Sequence, residues 1–301
     1  MPLDEDLKVH VSKDSTLDDL STLLVTSTNL DTPGRWRIKI AESAAQAELA
    51  ISVQGDRVVF DMLLKEHSHH IPYSMRYSAE AIYALIYAAA HYFSHLRWTS
   101  RSNLHKMVTV EFLKVKEIDE YDDDLMRILE PDGENMISSG NVNVYVDDGA
   151  MYGMKITNNS RIPLHCSVFF FDGDFSIGMS LFQKILGGPV LTPSKSPVSY
   201  YQPGDYGQKM DPSMKPKQSL RIGYGSGRAT PRIYLLQEGQ SSDIGFVKVF
   251  LSTEAVDLSH IPQPCPFDGP DKGMAMKTDR HIPCEWSALT FSVKQWRGRS
   301  I

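Results

Sequence analysis

Hydrophobic and polar residues alternate with a period of two through most of the second half of the chain. The pattern covers Asn141 to Val146, Met151 to Ile156, His165 to Phe171, Ser219 to Tyr224, Gly245 to Leu251 and Leu289 to Gln295. Turn-forming residues separate these runs. Such alternation predicts strands with one face in a core and one face wet, stacked as two layers. The first half reads differently. Trp36 to Ile40, Glu48 to Val53 and Val58 to Leu64 are strand candidates, the last two joined by the turn Gln54-Gly55-Asp56. From Ala79 to Leu96 the period changes to that of a helix, with Ile82, Leu85, Ile86, Ala89, Phe93 and Leu96 at steps of three and four and Ser78 as a cap. Met107 to Val115 returns to strand composition.

These elements predict an α+β protein: a C-terminal antiparallel β-sandwich and a smaller N-terminal α/β unit containing one long helix. The expected divisions are a lead-in segment over 1–35, the N-terminal unit over 36–120, and the β-sandwich over 138–297. Leu17 to Val25 reads as a short helix or strand within the lead-in. The acidic stretch from Glu117 to Glu134 reads as a solvated loop holding the boundary. His67, His69 and His70, beside Pro72, also read as a loop. Residues 183–216 form the longest irregular segment, and a loop of that length in a compact domain points to function or mobility.

Composition narrows the function classes. The chain has 301 residues and a formal charge of -6, with a pI near 5.9. That balance lacks the basic footprint of a nucleic-acid binder. No run of apolar residues is long enough for a membrane span. The start MPLDEDLKVH lacks the basic and apolar parts of a secretory signal, and three scattered cysteines do not make a disulfide framework. Cytoplasmic residence is the expectation.

Candidate chemistry is sparse. His91 and His95 share a helix face, as a metal site needs, but a third ligand is lacking nearby. His260, Cys265, His281 and Cys284 are metal ligands by type without a close cysteine pair. His165 and Cys166 are adjacent, so a strand sends them to opposite faces and prevents a dyad. Asp172-x-Asp174 has half of a calcium loop, with Gln183 where the last acid belongs. Asn158-Asn159-Ser160 matches a glycosylation acceptor and reads as a turn. Neither catalytic residues, nor a metal, nor a cofactor is expected. The one glycine-rich loop is Gly223-Tyr224-Gly225-Ser226-Gly227, followed by Arg228, whose N–H groups suit an anion.

Three stretches carry a family resemblance: Val146 through Ser160 with Pro163 to Phe171, Gly223 to Gly227, and Asp243 to Thr253. Together they resemble the β-rich region downstream of the peptidase domain in caspase-like proteins of mushroom-forming fungi. Tyr152, Asn158, Asn159, Gly223, Gly225, Asp243 and Gly245 are the matching positions. The resemblance implies an accessory region. It carries over no catalytic residue, because neither the His-Gly nor the Q-A-C-x-G context of the peptidase is present.

The reading that follows is a non-catalytic interaction or regulatory module. Its ligand-binding residues would be Tyr200, Tyr201, Tyr206, Gly223, Tyr224, Gly225 and Arg228, whose aromatic rings suit a protein surface, or a carbohydrate. The alternatives are a hydrolase acting on glycan or peptide and a lectin-like carbohydrate-binding protein. Oligomeric state is not legible.

Overall fold

The computed structural model describes residues 6–28, 37–64, 67–121, 125, 127–146, 149–180, 214–225, 230–268 and 285–298. The chain divides into two compact units, the first over Met1–Trp98, Phe171–Ile177 and His260–Asp279, the second over the rest. Both are interrupted in sequence, so the division does not fall in one linker. The first break, at Trp98, precedes the acidic stretch where a boundary was expected.

The first unit holds β1 (Leu7–Val11), α1 (Asp18–Thr28), β2 (Ile38–Ile40), β3 (Leu49–Gln54), β4 (Arg57–Leu64), β5 (His67–Arg76) and α2 (Ala79–Arg97). Its five strands lie in the order β2-β1-β3-β4-β5. The expected lead-in is therefore structured over residues 6–28: β1 is an inner strand, parallel to both its neighbours. Leu7 and Val9 point into the core and make the strand worth forming. β5 replaces the expected histidine loop. It is an edge strand, where Pro72 can sit without breaking a ladder on both sides. His70 Nδ1 lies 2.8 Å from Asp61 Oδ1 on β4.

α2 starts where Ser78 accepts a hydrogen bond from the Ala81 N–H. Ile82, Leu85, Ile86, Ala89 and Phe93 are buried, as their spacing predicts, and so are Tyr92, His91 and His95. The helix packs on α1 and β1. Two excursions of chain complete its surroundings. Tyr92 meets Phe171 and Phe175 edge-on at 5.2 and 5.4 Å. Gln263 donates from its side chain to the carbonyls of Ala88 and Phe175.

The second unit is almost all strand. It contains β6 (Val108–Tyr121), β7 (Arg127–Pro131), β8 (Asn141–Tyr145), β9 (Met151–Asn158) and β10 (His165–Phe171). β11 (Ile177–Ser180), β12 (Ser219–Ile222), β13 (Arg232–Ile233), β14 (Ser242–Ser252) and β15 (Trp286–Trp296) follow. One sheet runs β12-β9-β6-β7, with β13 also on β9; the other runs β11-β10-β14-β15-β8. All six alternating runs are strands. β7 emerges from the stretch expected as a loop, paired to β6 through a bulge. The second of these sheets is not wholly antiparallel: β8 runs parallel to β15. A parallel pair needs a long crossover, and the whole intervening chain supplies it.

One hydrophobic cluster draws Phe112, Tyr152, Met154 and Ile156 from the first of these sheets and Val144, Val168, Val247, Val249, Phe291 and Val293 from the other. Asn158 closes the turn after β9. It is fully buried; its Nδ2 donates to Ile162 O at 2.8 Å, and its Oδ1 accepts from Ser160 N at 2.9 Å. That side chain is a turn former and is not offered to solvent for glycosylation. Among the described residues no helix is long and apolar enough to cross a membrane.

Candidate functional site

β9 sends Tyr152, Met154 and Ile156 inward, so Met151, Gly153, Lys155 and Thr157 face the other way. On that outer face lies a second, smaller apolar cluster of Leu113, Val115 and Tyr224, with Leu129 and Met151 packed against it. The turn after β12 delivers Tyr224. Gly223 has φ +79° and its missing Cβ would stand 3.0 Å from Pro231 Cα. Gly225 has φ +69°, and its N–H donates to Leu129 O at 3.1 Å. The two glycines turn the chain sharply, and that bond ties it to β7.

Gly153 makes room for the Tyr224 ring. A Cβ there would lie 2.7 Å from Tyr224 Cδ1 and 2.7 Å from Ile222 O. With no side chain at 153, the ring lies close against the sheet and is only 5 % exposed. Burial pushes the phenol above its ordinary pKa, and the nearby Arg221 charge partly offsets this.

Beside this ring runs a row of charge. Glu111, Lys155 and Arg221 stand in register across β6, β9 and β12. Lys155 pairs with Glu111 at 3.0 Å. A groove of about 460 Å³ opens here, with Tyr224 and Leu129 as apolar lining, Arg221 and Lys155 as cations, and Glu120 and Glu130 as anions. That volume suits a small ligand or one or two side chains of a partner.

Gly223, Tyr224 and Gly225 of the expected site therefore come together, and Tyr224 and Gly225 line the groove. Of the N–H groups in the glycine-rich loop, that of Gly225 is engaged by Leu129, while those of residues 226–228 lie outside the described residues. Among the described residues, the positive charge in the groove comes from Arg221 and Lys155. Sequence reasoning passed over both, because polar residues on an alternating strand read as a solvated face. Tyr200, Tyr201, Tyr206 and Arg228 lie outside the described residues, as do His281 and Cys284.

The other candidates settle into packing roles. His91 Nε2 lies 2.9 Å from Ile261 O, and His95 Nδ1 lies 2.9 Å from His91 O, so both rings bond backbone carbonyls. Among the described residues no group of three or more His, Cys, Asp or Glu is placed to hold a metal. Cys166 belongs to the core cluster, and burial pushes its thiol up to about 12. Burial, then the Asp174 charge, raises the Cys265 thiol well above the ordinary range. Neither supplies a thiolate nucleophile at neutral pH. Asp174 is raised by its own burial and by Asp172, while Ser176 N–H bonds hold it as a turn. Ser287 Oγ approaches His105 Nδ1 at 2.7 Å, yet Ser287 is 1 % exposed and beyond the reach of a substrate.

At the β8–β15 edge, Tyr145 and Trp296 stand side by side in register and exposed. The Trp296 indole N–H donates to Asn143 Oδ1 at 3.2 Å. No family model, curated protein or solved structure matches this chain.

Proposed function

We propose that the chain is a non-catalytic interaction module whose β-rich unit is a two-sheet sandwich, and that it binds a protein partner through the Tyr224 groove. The shared cluster of inward residues from two sheets supports the sandwich. The observation that carries the binding site is the Tyr224 ring held over Gly153, between unlike charges, in a groove. The ring is buried and forms the floor of the groove, and the exposed Arg221 beside it is of the residue type that dominates protein interfaces. An accessory role beside a peptidase, as the fungal resemblance implies, agrees with such a module.

The test is selection from a random display library on the full chain, followed by affinity measurement on the variants Tyr224→Ala and Glu130→Lys. Tyr224→Ala removes the floor of the groove, and binding should weaken roughly tenfold or more. Glu130 is exposed, so its variant changes the groove's charge without touching the core. Selected peptides that bind both variants as tightly as the parent rule out the groove.

Carbohydrate binding is the second reading. The exposed Tyr145–Trp296 pair, with the indole fixed by Asn143, favours it. A glycan array with Trp296→Ala decides between the two.

A further inference from the structure

We infer that the groove selects a peptide segment carrying a carboxylate beside an apolar side chain, with Arg221 as the carboxylate's anchor; this rests on the groove being the binding site proposed above. The cation row on the outer face is only partly neutralised within the protein. Lys155 is committed to Glu111 at 3.0 Å. The side chain of Arg221, its neighbour in register, lines the groove and makes neither a hydrogen bond nor an ion pair with the described residues.

The stem of Arg221 is nevertheless held. Its Cδ lies 3.1 Å from where a Cβ on Gly225 would stand, so the glycine's bare backbone is the surface it packs on. A guanidinium held by its stem, with its five donors uncommitted, is suited to the two oxygens of a carboxylate. The apolar lining beside it is the half-buried Leu129 over the buried Tyr224 ring, a floor on which a hydrocarbon side chain can pack.

The far lip fixes the class of partner further. Glu120 and Glu130 line the groove and, among the described residues, make no ion pair. One lip is basic and the other acidic. A polyanion crossing the groove would set its phosphates against those two carboxylates, a like-charge clash that argues against nucleic acid and anionic lipid. A segment of mixed charge is complementary to both lips: its carboxylate on Arg221, its apolar side chain on Tyr224, and an ammonium toward Glu120 and Glu130.

The carboxylate has two sources, an acidic side chain or a chain terminus. Three probes separate them: acetyl-Lys-Ala-Leu-Ala-Glu-amide, the same peptide with Gln for Glu, and acetyl-Lys-Ala-Leu-Ala with a free C-terminal carboxylate. Each is titrated into the isotope-labelled full chain, following amide NMR shifts at Leu129, Tyr224 and Gly225. At least one carboxylate peptide should bind roughly two- to fivefold more tightly than the Gln peptide, the range of an exposed Arg–carboxylate pair. Whichever of the two is tighter identifies the source. Arg221→Gln should erase the preference, and Arg221→Lys should restore part of it. Arg221 is exposed on an edge strand, so both variants are expected to fold, which circular dichroism checks.

Equal binding of the Glu, Gln and free-carboxylate peptides overturns the carboxylate inference, and so does a preference that survives Arg221→Gln. Absence of binding by all three overturns it as well. The groove itself stands or falls separately, on whether display-selected peptides bind Tyr224→Ala and Glu130→Lys as tightly as the parent.

Discussion

Gly153→Ala is a single-methyl test of the site's construction. The added Cβ would stand 2.7 Å from Ile222 O, 2.7 Å from Tyr224 Cδ1 and 3.3 Å from Val115 Cγ1. A rotamer change relieves the contact with Tyr224. It does not relieve the one with a backbone oxygen, so β12 must shift against β9. Overpacking of this kind costs about 1–3 kcal/mol. If the lifted ring re-exposes about 100 Å² of apolar surface, a further ~2.5 kcal/mol is at stake. The two overlap, and the expected loss is about 2–4 kcal/mol. For a domain of this size that lowers Tm by roughly 5–15 °C. Urea and thermal unfolding followed by circular dichroism give both quantities. Gly178→Ala is the control, because a Cβ there meets nothing within 4 Å; it should stay within about 0.5 kcal/mol of the parent. In a Tyr224→Ala background the ring contact is already gone, so the cost of Gly153→Ala should fall by about 1–2 kcal/mol. A Gly153→Ala protein as stable as the Gly178→Ala control would refute the close packing of ring, strand and turn.

Two further outcomes are expected. Asn158→Ala leaves Ser160 N–H without its acceptor and removes one of the two donors to Ile162 O, the other being Ser160 Oγ, and should cost about 2–3 kcal/mol in urea unfolding. Lys248 is fully buried on β14, and desolvation lowers its amine from its ordinary 10.5 to about 7. The unfolded chain therefore holds more protons between about pH 7 and 10.5, and this residue makes stability rise with pH across that window. Below it both states are protonated and the dependence ends. Subtracting the pH profile of Lys248→Met from that of the parent should isolate the rise; identical profiles would sink the account.

Strands with one dry face were legible from alternation alone: β8, β9, β10, β12, β14 and β15 all fall on expected runs. The long helix was legible because its apolar period is unambiguous and Ser78 marks its start. β5 and β7 were not. Both are edge strands, satisfied on one side by a neighbour; β5 is mostly polar, and β7 is a five-residue stretch set among acidic residues, too short for its pattern to stand out. β1 was missed for brevity; its five residues join a parallel pairing that depends on chain 30 or more residues away. At the site, the glycine-rich turn was visible as a turn. The importance of Gly153 was not, since only the cross-strand register brings it beneath Tyr224. Arg221 was hidden for the same reason, because pairing across β9 decides which charges are neighbours.

The interruption of the first unit bears on the order in which the chain can be finished. Helix α2 ends at Arg97, but Ile261 and Gln263, which bond His91 and Ala88, are made about 160 residues later. At about 5–20 residues per second, a nascent chain waits roughly 8–30 s before these groups exist. During that interval the side of the helix that carries Ala88 and His91 lacks its cover, and a fragment stopped at residue 120 would retain that unmet surface permanently.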